Sequence, residues 1–286
     1  MSRIAYVNGR YVRQSEACVH IEDRGYQFAD GVYEVWAVFN GRLADADGHF
    51  DRLERSLGEL RIAPPMSRAA LALVLSETIR RNRVMEGIVY LQITRGVARR
   101  DHAFPSPEVA PGVVITARPI DFAKSAAQAA KGVTVITTPD IRWGRCDIKT
   151  VSLLPNILAK QAAREQGAYE AWLVDADGKV TEGASTNAWI VDAQGRLRTR
   201  DTEANILRGI TRTRLVEIAA ELQIPVLEQP FTVAEAKAAS EAFVTAASTF
   251  VMPVVAIDGV KIGDGGPGPI ATRLREIYLA GARSPH

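Results

Sequence analysis

With 286 residues, 47% of them hydrophobic and 24% charged, the chain can hold one large or two modest domains with full hydrophobic cores. Lys and Arg total 35 against 33 Asp and Glu, and the formal charge of +2 argues against a generally basic nucleic-acid binder or a membrane-surface protein. Cys18 and Cys146 have no metal-type spacing and make no disulfide scaffold, and His20, His49, His102 and His286 are too scattered for a metal cluster. No apolar run reaches about 18 residues and the stretch Met1 to Tyr6 lacks a signal-peptide core, so the expectation is a soluble cytoplasmic protein without metal.

In chain order, Ile4–Val7 and residues 11–12 flank an Asn8-Gly9 turn, and residues 32–39 meet Arg42-Leu43 across Asn40-Gly41, so two hairpins are predicted. Residues 45–61 read as a helix through Phe50, Leu53, Leu57 and Leu60, stopped by Pro64-Pro65. Ser67 is a candidate N-cap for a second helix over 68–81, with Leu71, Leu73, Val74, Leu75 and Ile79 as its apolar positions. Strands over 88–94 and 113–116 enclose a polar, proline-punctuated loop at 96–111, and the Ala-rich stretch 122–130 precedes a new strand at Val133. The boundary is placed there: an N-terminal domain 1–119, a linker 120–131 and a C-terminal domain 132–286. In the second half, helices are predicted over 154–166, from 207 or 208 to 222, and over 270–280. Strands are predicted at 170–174, 188–191, 242–245 and 254–257. Strands come in clusters rather than in βαβ units, so the fold class is α+β.

Two short runs carry the chemistry. Lysine is scarce, with seven in the chain, and Lys149 is preceded by Ile148 and followed by Val151-Ser152-Leu153-Leu154. An amine in such semi-apolar surroundings loses its proton readily and can form a Schiff base. About thirty residues on, Val180-Thr181-Glu182-Gly183-Ala184-Ser185-Thr186-Asn187 offers a carboxylate of the kind that meets a pyridinium nitrogen. Taken singly, a lysine placed like Lys149 is more often a snorkelling strand-edge side chain, and a glutamate like Glu182 is usually a turn residue.

The wider pattern resembles the fold-type IV pyridoxal-phosphate aminotransferases over nearly the whole chain. The matching pieces are residues 21–28 (IEDRGYQF), 30–35 (DGVYEV), 49–52, Asp140-Ile141-Arg142-Trp143, the two runs above, and 208–212 (RGITR). The resemblance implies a small N-terminal α/β domain and a larger C-terminal domain with a barrel-like sheet. It makes Lys149 the cofactor lysine and proton carrier, and Glu182 the partner of the ring nitrogen of pyridoxal 5'-phosphate. Arg52 resembles the phosphate arginine, although spacing alone leaves it open to a surface pairing with Asp51 or Glu54. Gly209, Ile210 and Thr211 open a helix and would form an anion cup, while Ala247 and Ser248 resemble a second phosphate-side turn. Leu207 resembles the residue on the ring face, and Ser185, Thr186 and Asn187 complete the cofactor set. Ala184, Ala246 and Ala247 stand where relatives often carry hydroxyls.

Among the D-amino acid members of that family an Arg-x-His and a tyrosine hold the substrate carboxylate, and Arg100, His102 and Tyr33 match them. Tyr33 and Val35 alternate with Glu34 and Trp36 and so share a strand face. The resemblance thus implies amino-group transfer from a D-amino acid to a 2-oxo acid, in a homodimer whose 96–111 loop reaches the neighbouring site. The alternatives are a branched-chain L-aminotransferase, an (R)-amine transaminase and an aminodeoxychorismate lyase.

Overall fold

The computed structural model describes residues 3–203 and 206–283; Met1 and His286, named above, lie outside them. The chain divides into two compact units, Met1–Phe122 with Ile148–Ser152, and Ala123–Asp147 with Leu153–His286.

The first unit is built on a six-stranded antiparallel sheet. Its strands are β1 (Ile4–Val7), β2 (Arg10–Arg13), β3 (Gly31–Phe39), β4 (Arg42–Leu43), β5 (Gly87–Thr94) and β6 (Gly112–Pro119), in the order β2-β1-β6-β5-β3-β4. Both predicted hairpins form: Asn8, Gly9, Asn40 and Gly41 all have positive φ, the backbone that a two-residue turn needs to match strand twist. Among the described residues three α-helices accompany the sheet, α1 (Arg24–Phe28), α2 (Ala46–Glu59) and α3 (Arg68–Arg81). Phe50, Leu53 and Leu57 of α2 and Leu71, Leu75 and Ile79 of α3 join Trp36, Leu91 and Ile115 of the sheet in one core. Ser67 caps α3 by accepting the Ala70 N–H. Leu73 was expected on the apolar stripe but is 72% exposed, because it falls off the face that 71, 75 and 79 share. The sequence pattern did not disclose α1, which Asp23 caps through the Gly25 N–H and Ala29 ends in a left-handed conformation.

The segment holding Lys149 groups with this unit rather than with the C-terminal part where the sequence placed it. Ile148 is buried in the first core, and the backbone pairs with the start of β3 (Tyr33 N–H to Lys149 O, 3.0 Å; Val151 N–H to Gly31 O, 3.1 Å). The expected linker 120–131 is largely helix α4 (Phe122–Ala129), consistent with its alanines being strong helix formers.

Among the described residues the second unit contains nine strands and most of the remaining helices. In chain order the elements are β7 (Val133–Pro139), α5 (Leu154–Glu165), β8 (Glu170–Val174), β9 (Val180–Gly183), β10 (Asn187–Val191), β11 (Leu197–Thr199), α6 (Ile210–Glu221), β12 (Val226–Glu228), α7 (Val233–Lys237), β13 (Glu241–Ala246), β14 (Phe250–Ile257), β15 (Val260–Lys261) and α8 (Pro269–Arg283). The strand order is β12-β11-β10-β13-β14-β7-β8-β9, with β15 on β14. A three-residue turn, 184–186, joins β9 to β10 although four strands lie between them in the sheet. Five strand spacings span about 24 Å in a flat sheet, and so short a link reaches about 14 Å. The sheet must therefore curl, which makes it barrel-like and brings Glu182 and Asn187 to the two sides of one tight turn.

Candidate active site

Alternation along β3 sets the first group of residues. Tyr33 and Val35 are half-buried on one face, while Val32, Glu34 and Trp36 are buried on the other. Tyr33 shares its face with Tyr90 of β5, the ring centres 5.7 Å apart, and the half-buried Lys149 Nζ lies 4.3 Å from the centre of the Tyr33 ring. Burial, helped by Tyr33, pushes the Tyr90 phenol up to about 12, so it stays a neutral donor and bonds Gln92 Oε1 at 2.8 Å. The Lys149 amine thus lies beside the Tyr33 ring, which in turn packs on Tyr90.

On the opposite face the structure resolves the question of Arg52. Asp51 and Glu54 pair with Arg68. Arg52 turns inward instead, donating from Nε to Glu34 Oε1 at 2.7 Å and from Nη2 to Glu34 Oε2 at 2.8 Å. The surface-partner alternative fails because Arg52 lies on the buried side of α2, where the Glu34 carboxylate offsets its desolvation. His49 Nδ1 lies 2.7 Å from Glu34 Oε2 and must carry the proton there, since a carboxylate only accepts. Burial alone would raise the Glu34 carboxyl, but Arg52 and His49 outweigh it and bring it to about 2. Burial lowers His49 despite its carboxylate partner, so the ring is neutral.

Arg100 and His102 are exposed on the loop after β5. They share a neighbour, Phe28 of α1: the Arg100 guanidinium carbon is 4.8 Å from its ring centre and the His102 ring 5.5 Å.

In the second unit the curled sheet gathers the rest. Glu182 on β9 is 5% exposed. Its Oε2 accepts the Asn187 amide at 3.0 Å, both oxygens lie 3.2 Å from the Leu207 N–H, and Oε1 is bonded to Arg142. Arg142 is itself held by Asp140, through Nε at 2.9 Å and Nη2 at 2.7 Å, and Thr181 donates to the same aspartate at 2.7 Å. Burial would lower Arg142, but Asp140 and Glu182 prevail and raise it, so the guanidinium is a permanent charge. Burial pushes the neighbouring Cys146 thiol up to about 11, which makes it a poor nucleophile.

Gly209, Ile210 and Thr211 stand at the start of α6, whose first N–H groups have no side-chain cap. Thr211 Oγ1 is buried without a hydrogen-bond partner among the described residues. Gly209 approaches Asn187 so closely that an added Cβ would overlap Asn187 Oδ1. Uncapped N–H groups and an orphaned hydroxyl beside bare backbone suit a phosphate dianion. Ala247 and Ser248 occupy the turn between β13 and β14. Ser185 and Thr186 point elsewhere: Ser185 Oγ donates to Glu170 Oε2 at 2.6 Å, and Thr186 Oγ1 lies 3.4 Å from the same oxygen. Glu170 is fully buried, and it anchors the turn that joins Glu182 to Asn187.

The residues that sequence reasoning did not assign are Glu34, Arg142, Asp140, Tyr90 and Glu170. A signal existed for Glu34, since an acidic residue on the inward face of an alternating strand demands a counter-charge. Among the described residues no group of His, Cys, Asp and Glu could hold a metal ion, and no helix is long and apolar enough to cross a membrane.

Comparison with known proteins places the chain in a family. Residues 31–257 match the amino-transferase class IV family. The chain is 40% identical over 273 residues to the D-alanine aminotransferase of Staphylococcus haemolyticus, covering 96% of this chain and 95% of the relative. It is 39% identical over 274 residues to the D-alanine aminotransferase of Listeria monocytogenes, covering 96% and 94%. Among solved structures, the branched-chain aminotransferase of the thermophilic archaeon Thermoproteus uzoniensis, with norvaline, superposes with a TM-score of 0.84. That match has 29% identity and covers 98% of this chain and 94% of that one. With the family pattern running through β3, the Lys149 segment and the Glu182 turn alike, the chain belongs to the class IV aminotransferases.

Proposed function

We propose that the protein transfers an amino group between a D-amino acid, such as D-alanine, and a 2-oxo acid, such as 2-oxoglutarate or pyruvate, with pyridoxal 5'-phosphate as cofactor. The observation that carries the reading is the buried Glu182 carboxylate, with donors on both oxygens, which is the partner a protonated pyridine nitrogen requires. When bound, the cofactor supplies an electron sink for the substrate's α-carbon. Lys149 Nζ would take and return the α-proton, and Glu182 would keep a proton on the ring nitrogen. Asn187 and Leu207 N–H hold Glu182, and Leu207 covers the ring face. The start of α6 with Thr211 and the turn at Ala247 and Ser248 carry the phosphate, with Ser185 and Thr186 shaping the Glu182 turn; Arg52, its Nε and Nη2 given to Glu34, would add its charge to the phosphate's surroundings. Tyr33, Arg100 and His102 take the substrate carboxylate. Because the α-hydrogen must face Lys149, the side on which carboxylate is trapped selects the enantiomer.

The working unit in this reading is a cytoplasmic homodimer, with the 96–111 loop serving the neighbouring subunit. Exposed apolar side chains on each unit, Ile21 (76%) and Tyr26 (74%) on the first and Leu154 (67%) and Ile141 (64%) on the second, are the surfaces a second copy would cover. Similarity to the Thermoproteus uzoniensis structure favours one second reading, a branched-chain L-amino acid substrate. Adding D-alanine, then L-leucine, to separate samples of holoenzyme without acceptor, while following cofactor absorbance, decides between them. A change with D-alanine that pyruvate reverses is expected; a change with L-leucine alone would replace the first reading by the second.

A further inference from the structure

Arg24 and Phe28, on the five-residue helix α1, have no place in the chemistry described above, yet both touch the loop that carries Arg100 and His102. Arg24 is 3% exposed, an unusual setting for a guanidinium beside a surface loop. Its Nη1 donates to the Asp101 carbonyl at 2.6 Å and its Nη2 lies 3.5 Å from the His102 carbonyl. Its Nε donates to Asp30 Oδ2 at 2.8 Å. Asp30 also accepts Arg95, from Nε at 2.7 Å and Nη2 at 2.9 Å. Arg95 in turn bonds the Leu60 and Arg61 carbonyls, and its guanidinium carbon lies 3.6 Å from the centre of the Phe104 ring. Burial would raise the Asp30 carboxyl, but Arg95 and Arg24 outweigh it and hold it below its ordinary value.

One carboxylate therefore anchors two arginines that grip the loop at successive points, the main chain at 101–102 and the ring at 104. The Phe28 ring is the third contact, 4.8 Å from the guanidinium carbons of both Arg24 and Arg100. The arginine clamp acts on carbonyls and on Phe104, so the polar ends of Arg100 and His102 are presented rather than consumed. A loop ordered in advance loses less conformational freedom when its side chains bind an anion.

We propose that Arg24, fixed by Asp30, is a positioning residue for carboxylate recognition: it sets the main chain at Asp101 and His102, and Phe28 supplies the surface on which Arg100 rests. The inference rests on the assignment of Arg100 and His102 to the substrate carboxylate.

The test uses Arg24→Met holoenzyme, with KM for D-alanine and the inhibition constant of propionate, a carboxylate without an amine, as readouts. Both constants are expected to rise by about tenfold, the weight of one charged hydrogen bond. The change in kcat should be far smaller, cofactor absorbance should persist, and Arg24→Met should add nothing in an Arg100→Ala/His102→Ala background. Unchanged constants in folded Arg24→Met overturn the proposal, as does a full additional loss in the Arg100→Ala/His102→Ala background. If Arg24→Met does not fold, Phe28→Leu carries the same test, and unchanged constants there overturn it equally. Arg100→Ala alone separates the two levels. If it leaves both constants unchanged, the carboxylate assignment fails; if it raises both while Arg24→Met does not, only the positioning role fails.

Discussion

Arg52 and Glu34 meet side-on, Nε to Oε1 at 2.7 Å and Nη2 to Oε2 at 2.8 Å, on the buried face of a strand whose other face carries Tyr33. Two opposite charges taken out of water in this way stabilise little as a pair, but losing one partner strands the other. Glu34→Ala should therefore cost about 3–5 kcal/mol in denaturant unfolding. A loss below about 1 kcal/mol would show that Arg52 finds solvent or another partner.

The same pair makes stability depend on acid. Glu34 sits at about 2 in the fold against an ordinary 4.5, so its contribution is fully present above pH 4.5 and is lost as pH falls from there toward about 2. Unfolding free energies across that window should decline more steeply for the parent than for Glu34→Gln, which has no carboxyl to titrate. Parallel slopes would remove Glu34 as a cause.

Lys149→Ala should lower transamination by at least about 10²–10⁴-fold, the contribution expected of a positioned acid–base group alone. Lys160→Ala should retain turnover, because Lys160 Nζ is engaged with the Tyr169 carbonyl at 2.6 Å and with Glu170 at 3.3 Å. Steady-state rates with D-alanine check both, and the reverse ranking would sink the assignment of Lys149.

Glu182→Gln should slow α-proton removal by roughly two to three powers of ten, or about 2.7–4 kcal/mol, with cofactor still bound. Arg142→Met, which removes the cation from the same carboxylate, should cost less, about 1.5–3 kcal/mol. Single-turnover spectra read both rates. An Arg142 variant slower than the Glu182 variant would make Arg142 the more direct participant.

Gly209→Ala places a methyl group on Asn187 Oδ1, and Asn187 is the amide that holds Glu182. Overpacking of this kind costs about 1–3 kcal/mol. Weaker cofactor retention on dialysis should accompany the loss of stability; normal retention would separate the α6 start from the cofactor.

Much of the fold was legible in the chain because it is written at short range. Asn-Gly at 8–9 and 40–41 announces tight turns, Ser67 announces a helix start, and Phe50, Leu53 and Leu57 announce an inward face, each through neighbours a few residues away. Lys149 and Glu182 stood out for similar reasons, an amine amid apolar neighbours and an acid on a β-type run.

What the chain did not disclose depends on partners far along it. Arg52 could be matched to Asp51 or Glu54 by spacing, and only the packing of α2 on β3 turned it to Glu34, 18 residues away. Lys149 belongs by sequence to the second half, and only the backbone pairing of Lys149 and Val151 with β3 placed it beside Tyr33. Arg24 grips carbonyls 77 and 78 residues distant, and Arg142 reaches Glu182 across 40. Local periodicity reports which side of an element is buried; it cannot report which charge waits there, because desolvation fixes that choice only once the elements have packed.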